Sequence, residues 1–297
     1  MTFSSTIYAP RRASGGETVP GRDLALHLRR WGDPAAPSLL LLHGSRDASV
    51  TFQFVVDALR ADWSVVAPDW RGHGLSGWSV NGYAFADYLA DLDRLLGDLF
   101  PGRAVPVVGH SLGGNVALVY AGLRPERVRC LVSLDAFGVP DGAPAEAPAH
   151  LRRWLDAWRA PPPDPAYPSP EALAERLSRA NPRLDPPRAR FLAAHLGRED
   201  PDGLFRWRFD PRHRMPFAAL HRRAEWSACL AAVRAPTLII GSERAFPAFE
   251  AEPGGFAARR AELPPGDLVR LPGTGHNVHH DAPDAVAGLI ETFIAGA

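Results

Sequence analysis

AVPVVGHSLGGNVALVYAGL, residues 104–123, is the stretch of sequence that decides the fold. An apolar run typical of a buried strand leads directly into the turn GHSLG at residues 109–113, and a segment with helical composition follows it. A serine on such a turn is held in a strained conformation, and small neighbours such as Gly109 and Gly113 leave room for it. The strand–turn–helix setting therefore predicts that Ser111 is a nucleophile and not an incidental turn residue.

Outside this turn, short strand-like runs alternate with segments of helical period. Several of the runs are continuously apolar, which is typical of strands covered on both faces of a parallel sheet. We therefore expect an α/β fold with a mostly parallel sheet flanked by helices. The predicted strands are 38–43, 63–68, 104–108, 128–134, 236–241 and 267–271, and the predicted helices include 51–60, 85–100, 112–123 and 283–294.

The composition changes after Asp135. Residues 136 to about 225 are rich in proline and arginine, contain no convincing strand, and carry short helical patches separated by breaks such as prolines 161–163. We interpret residues 1–135 and 226–297 as the two parts of one sheet domain, and residues 136–225 as a helical cap inserted between them.

Composition and charge restrict the partners of the protein. The 297 residues carry a formal net charge of zero, and all 33 residues counted as lysine or arginine are arginine. A nucleic-acid-binding protein would normally have a basic surplus, so we expect a small-molecule substrate and no nucleic acid. The two cysteines, the absence of a signal-like N-terminus and the strand-length apolar runs predict a cytoplasmic protein without a membrane partner. The oligomeric state does not follow from the sequence.

A serine hydroxyl needs a base to remove its proton, and His276 is the best candidate. It follows the last predicted strand and precedes the last predicted helix, so it lies at the carboxyl edge of the sheet, where parallel-sheet proteins place their sites. His279 and His280 share this loop. No aspartate, glutamate or cysteine set stands at ligand spacing beside them, so we expect no metal site.

Four motifs, taken together and in this order, resemble the α/β-hydrolase superfamily from about residue 24 to the C-terminus. They are LHGS at 42–45, PDWRGHGLS at 68–76, GHSLGG at 109–114 and GTGH at 273–276. The resemblance implies a serine-nucleophile hydrolase with a helical cap, the chain order serine, acid, histidine, and no metal or organic cofactor. It also implies an oxyanion hole made by the backbone N–H groups of Ser45 and Leu112. In the second motif, Asp69 and Arg71 are expected to stabilise a turn.

The position of the acid departs from the usual family pattern. The acid usually stands after the next-to-last strand in a pattern like Gly-x-x-Asp. Here the residues after Gly241 are Ser242, Glu243 and Arg244, so Arg244 is at the position of the acid and Glu243 is one residue early. Asp135 ends the strand at 128–134 and resembles the acid of the haloalkane dehalogenases that place it after this strand. We favour Asp135 and keep Glu243 as the alternative, since either carboxylate could orient His276.

These assignments predict a serine hydrolase, with carboxylesterase as the default activity. Ser111 would attack an ester-like bond of a small hydrophobic substrate and form an acyl-enzyme, whereas dehalogenases and epoxide hydrolases of this superfamily use a carboxylate nucleophile. The alternatives are a C–C bond or lactone hydrolase, and a small-molecule-binding or signalling protein on the same fold with little turnover. We place the following residues around the substrate: His43, Arg46, His110, Phe137 and His279.

Overall fold

The computed structural model describes residues 6–244 and 254–297. The described strands are β1 (Ser14–Pro20), β2 (Ala25–Trp31), β3 (Ser38–Leu42), β4 (Ser64–Pro68), β5 (Val105–His110), β6 (Val128–Leu134), β7 (Gly197–Glu199), β8 (Phe205–Trp207), β9 (Thr237–Gly241) and β10 (Gly266–Arg270). Within the described residues one sheet has eight strands in the order β1–β2–β4–β3–β5–β6–β9–β10, and β7 and β8 pair separately as a small antiparallel sheet. Strands β1 and β2 run antiparallel to their neighbours, and the rest of the large sheet is parallel.

Helices cover both faces of the large sheet. The described helices are α1 (Gln53–Ala58), α2 (Phe85–Leu99), α3 (Leu112–Leu123), α4 (Ala147–Arg159), α5 (Pro170–Ala180), α6 (Pro186–Leu196), α7 (Arg223–Ala231), α8 (Gly255–Glu262), α9 (Val278–Asp281) and α10 (Pro283–Gly296). Leu40 and Leu42 of β3 belong to the apolar cluster with α2, α3 and α7, whereas Leu39 and Leu41 belong to the cluster with α1 and α10. This two-sided burial explains why the strand sequence is continuously apolar.

The predicted α/β architecture is present, and each strand and helix predicted in the sheet region occurs within a few residues of its expected ends. The sequence interpretation missed β1 and β2. Strand β1 lies at the edge of the sheet with mostly exposed side chains, and β2 carries two arginines, so neither has the apolar run of a buried strand. The expectation of no strand within residues 136–225 was wrong, because β7 and β8 lie there. These strands are three residues long, too short to produce a recognisable alternation.

Between β6 and β9 the chain forms the small sheet and helices α4 to α7. Helices α5 and α6 pack against α1 and the residues just before it, in an apolar cluster that includes Val50 and Phe54. Residue 225, the predicted end of the cap, lies inside α7. Trp226 and Leu230 of that helix pack in the same apolar cluster as α3. No helix of residues 6–244 and 254–297 is long and apolar enough to cross a membrane.

The turn at residues 68–76 is fixed by buried charges, as its two charged residues suggested. Asp69 accepts hydrogen bonds from the Nδ1 atom of His27 and the backbone N–H groups of Ser49 and Leu75, at 2.9, 2.6 and 2.9 Å. Arg71 donates from Nε and Nη2 to the two oxygens of Asp91 on α2, both at 2.6 Å, and both side chains are 1% exposed. The pair fastens the turn to the helix that covers the sheet.

Loss of the Asp91 charge should therefore be costly. We expect Asp91→Asn to lower the free energy of unfolding by about 3 kcal/mol or more, because a buried guanidinium is left without its full counter-charge. Asp98→Asn on the same helix is the matched control, since Asp98 pairs with Arg94 at an exposed position and should change little. Urea denaturation at pH 7 measures both. An equal loss of unfolding free energy in the two variants would show that the buried pair of Arg71 and Asp91 stabilises the fold no more than the exposed pair does.

Candidate active site

Ser111 stands alone between β5 and α3 with backbone angles of φ +50° and ψ −114°, a conformation that side-chain-bearing residues rarely adopt. Its N–H group donates to the carbonyl oxygen of Leu134 at 3.0 Å. The flanking glycines are required by close packing. A Cβ atom at Gly109 would lie 2.5 Å from the carbonyl oxygen of Gly113, and one at Gly113 would lie 2.2 Å from that of Leu42. The neighbouring elements thus hold the strained serine in place.

The imidazole of His276 lies between Ser111 and Asp135. His276 is in the loop between β10 and α9, with Nε2 at 3.0 Å from Ser111 Oγ and Nδ1 at 2.8 Å from Asp135 Oδ2. A carboxylate can only accept, so Nδ1 carries the proton and Nε2 offers its lone pair to the serine hydroxyl. The His276 side chain is 52% exposed, which leaves the reacting nitrogen open to a substrate.

Asp135 follows β6 with φ +48°, and its side chain is 7% exposed. Its second oxygen, Oδ1, accepts from the backbone N–H and the hydroxyl of Ser242 at 2.8 and 2.9 Å. Both carboxylate oxygens are therefore fixed, one toward His276 and one toward the end of β9. Glu243, the alternative acid, is exposed and accepts instead from the backbone N–H of Gly273 at 3.2 Å. The structure brings Asp135, and not Glu243, to the histidine ring.

The loop after β3 packs directly against the nucleophile turn. A Cβ atom at Gly44 would lie 3.2 Å from Ser111 Cβ, and the N–H group of Gly113 donates to the carbonyl oxygen of His43 at 3.1 Å. Ser45, the next residue, is exposed. Leu112 is the first residue of α3, so its N–H group has no acceptor within the helix. This arrangement is compatible with an oxyanion hole at Ser45 and Leu112, which stays a prediction.

Two of the histidines predicted to contact substrate make buried contacts with the backbone. His43 is fully buried, donates from Nδ1 to the carbonyl oxygen of Gly44 at 2.7 Å, and accepts at Nε2 from the N–H group of Trp70 at 2.9 Å. Burial lowers the pKa of His43 to about 4, so this ring is neutral near pH 7. His110 donates from Nε2 to the carbonyl oxygen of His276 at 2.9 Å and so supports the backbone of the candidate base.

The other three predicted pocket residues differ in exposure. Phe137 is 2% exposed and packs edge-to-face on Phe256, with ring centroids 5.0 Å apart. His279 is fully buried, with Nε2 at 2.9 Å from Thr51 Oγ1. Arg46 is exposed, and its backbone is fixed at φ +60° by donation of its N–H group to His73 Nε2 at 3.0 Å. Of the five, Arg46 is the one that is exposed.

Sequence reasoning missed Ser242 and His73. Ser242 directly follows β9 at the carboxyl edge of the sheet. Its hydroxyl donates to Asp135, the candidate acid that follows the neighbouring strand β6. His73 belongs to the motif at 68–76 and links two loops, because its Nδ1 donates to the carbonyl oxygen of Arg71 at 2.9 Å while its Nε2 accepts from Arg46. The membership of His73 in this motif was the signal in the sequence that could have pointed to it.

Comparisons with known proteins identify the family of this fold. The family model described as alpha/beta hydrolase fold matches residues 37–283. The chain is 31% identical to a serine hydrolase-like protein of Danio rerio over 97% of this chain and 91% of that protein. It is 27% identical to the 2-(acetamidomethylene)succinate hydrolase of Mesorhizobium japonicum, covering 91% and 92% of the two chains. The thioesterase domain from the curacin biosynthetic pathway superposes with a TM-score of 0.84 at 26% identity, covering 94% of this chain and 99% of that one.

The contacts of the two candidate acids lead to a direct test. Asp135→Asn should slow covalent labelling of Ser111 by a fluorophosphonate on the order of 10³-fold or more, because an amide can hold the imidazole in the wrong tautomer. Glu243→Gln is the matched control and should label at close to the wild-type rate, since its carboxylate supports a loop and not the ring. Circular dichroism checks that both variants fold. A slower reaction for Glu243→Gln than for Asp135→Asn would reverse the assignment.

Proposed function

The chain belongs to the α/β-hydrolase fold family, and on that basis we propose that it is a serine hydrolase that cleaves ester-like bonds through an acyl-enzyme on Ser111. The observation that carries the proposal is the continuous hydrogen-bonded series from Ser111 Oγ through His276 to Asp135, with distances of 3.0 and 2.8 Å. A serine, a base and an orienting acid in this order are the parts that nucleophilic acyl transfer requires.

In the first half of the proposed reaction, Nε2 of His276 takes the proton of Ser111 as Oγ attacks the carbonyl carbon. The imidazolium that forms is stabilised by Asp135, which keeps the Nδ1 proton directed toward Oδ2. Nε2 then gives its proton to the leaving alkoxide as the ester C–O bond breaks, and the alcohol departs. The acyl group remains on Oγ.

In the second half, Nε2 removes a proton from water as the water oxygen attacks the acyl carbon. The bond to Oγ breaks, Ser111 regains its proton from Nε2, and the carboxylic acid is released. In both tetrahedral intermediates the oxyanion would accept from the N–H groups of Ser45 and Leu112. The contact of Gly44 with Ser111 supports this role, because it keeps the two loops together.

We assign residues 136–225 the role of a cap that selects a small, hydrophobic substrate. Support comes from the contacts of this segment with the core: the N–H group of Asp210 donates to the carbonyl oxygen of Gly72, and Tyr83 Oη donates to Asp210, both at 2.8 Å. Trp207 and Phe209 are largely buried in the cluster that joins α5 and α6 to Phe54, so these aromatic rings hold the cap together.

The decisive experiment compares wild type with Ser111→Ala. We expect the wild-type protein to react with a fluorophosphonate probe and to hydrolyse p-nitrophenyl acetate and butyrate, and we expect the variant to do neither. Ser178→Ala on α5, where the serine is also partly buried, is the matched control and should keep both activities.

A wild-type protein that neither labels nor hydrolyses any ester contradicts the proposal. Fast labelling with negligible turnover would favour the small-molecule-binding alternative, in which the same residues hold a ligand. Turnover of a lactone or of a C–C bond substrate, but not of esters, would keep Ser111 as the nucleophile and change the bond that it attacks.

We further propose that, among small hydrophobic substrates, Arg46 favours those that also carry a carboxylate. Arg46 is exposed in the loop after β3, directly after Ser45, and a guanidinium can form charge-assisted, bidentate hydrogen bonds with a carboxylate. The similar Mesorhizobium japonicum protein is named for a succinate-derived substrate, which is an acid.

Arg46→Gln should raise KM for mono-4-nitrophenyl succinate on the order of tenfold, which corresponds to the loss of one charge-assisted hydrogen bond. KM for the neutral 4-nitrophenyl butyrate should not change. Arg103→Gln is the control, because Arg103 is exposed beside the amino end of β5, at the edge of the sheet opposite Ser111. Equal effects of Arg46→Gln on both esters would contradict carboxylate recognition without affecting the assignment of Ser111.

A further inference from the structure

Asp47, His279 and His280 form a cluster beside the candidate active site. One potential ligand atom from each residue lies within 4.8 Å of the others. Asp47 is in the loop that contains Ser45, and the two histidines are in α9, directly after the loop that contains His276. The cluster therefore joins the two loops that carry the candidate oxyanion amide and the candidate base.

The two histidine rings converge although they are neighbours in the chain. Nε2 of His279 and Nε2 of His280 lie 2.9 and 2.5 Å from the same atom, Thr51 Oγ1. The aromatic rings of Phe52 and Phe54 lie against them, with centroid distances of 5.5 and 5.8 Å. Two imidazole nitrogens are thus held close together in a shielded position.

The chemical state of the cluster suits coordination. Burial lowers the pKa of His279 well below its ordinary value and that of His280 to about 3, so both rings are neutral and keep a lone pair near pH 7. Asp47 adds a carboxylate to the two imidazoles, and its Oδ1 accepts from the backbone N–H group of Ala48 at 2.9 Å.

The hydrogen-bonding capacity of the cluster is incompletely used. Nδ1 of His279 is buried and has no hydrogen-bond partner among residues 6–244 and 254–297, and the same holds for Nδ1 of the adjacent His110. The two rings lie 4.3 Å apart between centroids. Thr51 Oγ1 has two lone pairs and can accept from both Nε2 atoms, so the unused capacity of the cluster lies at Nδ1. Buried polar groups normally have partners, and these exceptions require an explanation.

We propose that Asp47, His279 and His280 bind one divalent transition-metal ion of the Zn²⁺ or Co²⁺ class, and that the bound ion cross-links the two loops of the candidate active site. Two imidazoles and one carboxylate form a donor set that suits these ions better than Mg²⁺ or Ca²⁺, which prefer oxygen ligands. Asp47 is partly exposed, whereas both histidines are buried, so the ion enters from the side of the carboxylate.

Arg188 opposes a cation at this place and makes Asp47 essential. Its Nη1 atom donates to the carbonyl oxygen of His280 at 3.3 Å, and its positive charge contributes to the low pKa of the His280 ring. Without the carboxylate, an incoming ion would face a guanidinium and two neutral rings. Removal of the Asp47 charge should therefore weaken binding more than the loss of a single neutral ligand.

The test uses the metal-stripped full chain and Co²⁺, whose visible absorption reports coordination without reference to any catalytic activity. We expect the wild-type protein to bind one equivalent and to unfold at a higher temperature with the ion than without it. His280→Gln should weaken Co²⁺ binding on the order of 100-fold, since loss of supporting groups alone costs 10- to 100-fold, and Asp47→Asn should weaken it further.

Two controls separate this site from other binding. His150→Gln, at an exposed position on α4, should leave the affinity unchanged. His276→Gln should also retain binding, whereas an ion held by His276 would lose it, so the result does not depend on the proposed hydrolase activity. The proposal is overturned by the absence of saturable binding, by unchanged affinity in both ligand variants, or by loss of binding in His276→Gln.

Near-ultraviolet circular dichroism of the metal-free variants checks their folding. If Asp47→Asn does not fold, wild-type crystals soaked in Zn²⁺ provide the answer by anomalous diffraction. A peak between Asp47 and the two histidines supports the site, and its absence from soaked crystals overturns it.

Discussion

A side chain at Gly113 would lie 2.2 Å from the carbonyl oxygen of Leu42, so α3 can begin against β3 only because this position is glycine. The close approach lets the Gly113 N–H group reach His43, and it brings the loop at Gly44 within contact distance of Ser111. The strained backbone of Ser111 is maintained by this packing, since an isolated turn would relax. The positions of Ser111, the proposed nucleophile, and of the candidate oxyanion amides depend on the same contact.

The parallel sheet brings together the other side chains of the site. Strands β6 and β9 are neighbours, and the residues that follow them, Asp135 and Ser242, meet at the carboxyl edge. The N–H group of Asp135 also donates to the carbonyl oxygen of Ile240, which fixes the backbone on which the carboxylate stands. His276 arrives after β10, the next strand of the sheet. Either of two adjacent strand ends could hold an acid here, and the hydrogen bonds from Ser242 make Asp135 the one that is oriented.

Three buried histidines differ in function from the half-exposed His276. His43, His73 and His110 each bond through a ring nitrogen to a backbone carbonyl oxygen, and burial lowers the pKa of each. As neutral rings they connect loops by hydrogen bonds that protonation near pH 7 does not disturb. Their burial explains why a histidine near a catalytic motif is a poor guide to substrate contact.

The sequence by itself determined the α/β architecture, the strand–turn–helix setting of Ser111 and the loop of His276, because apolar periodicity and glycine spacing are local properties of the chain. It left Asp135 and Glu243 as alternatives, and it missed Ser242 and the short strands β7 and β8. The approach of Asp47 to His279 and His280 could not be read from the sequence, because Asp47 is far along the chain from both histidines. Only the tertiary structure decided which side chains meet, since contacts between strand ends and between distant loops depend on sheet order and packing, which no local pattern encodes.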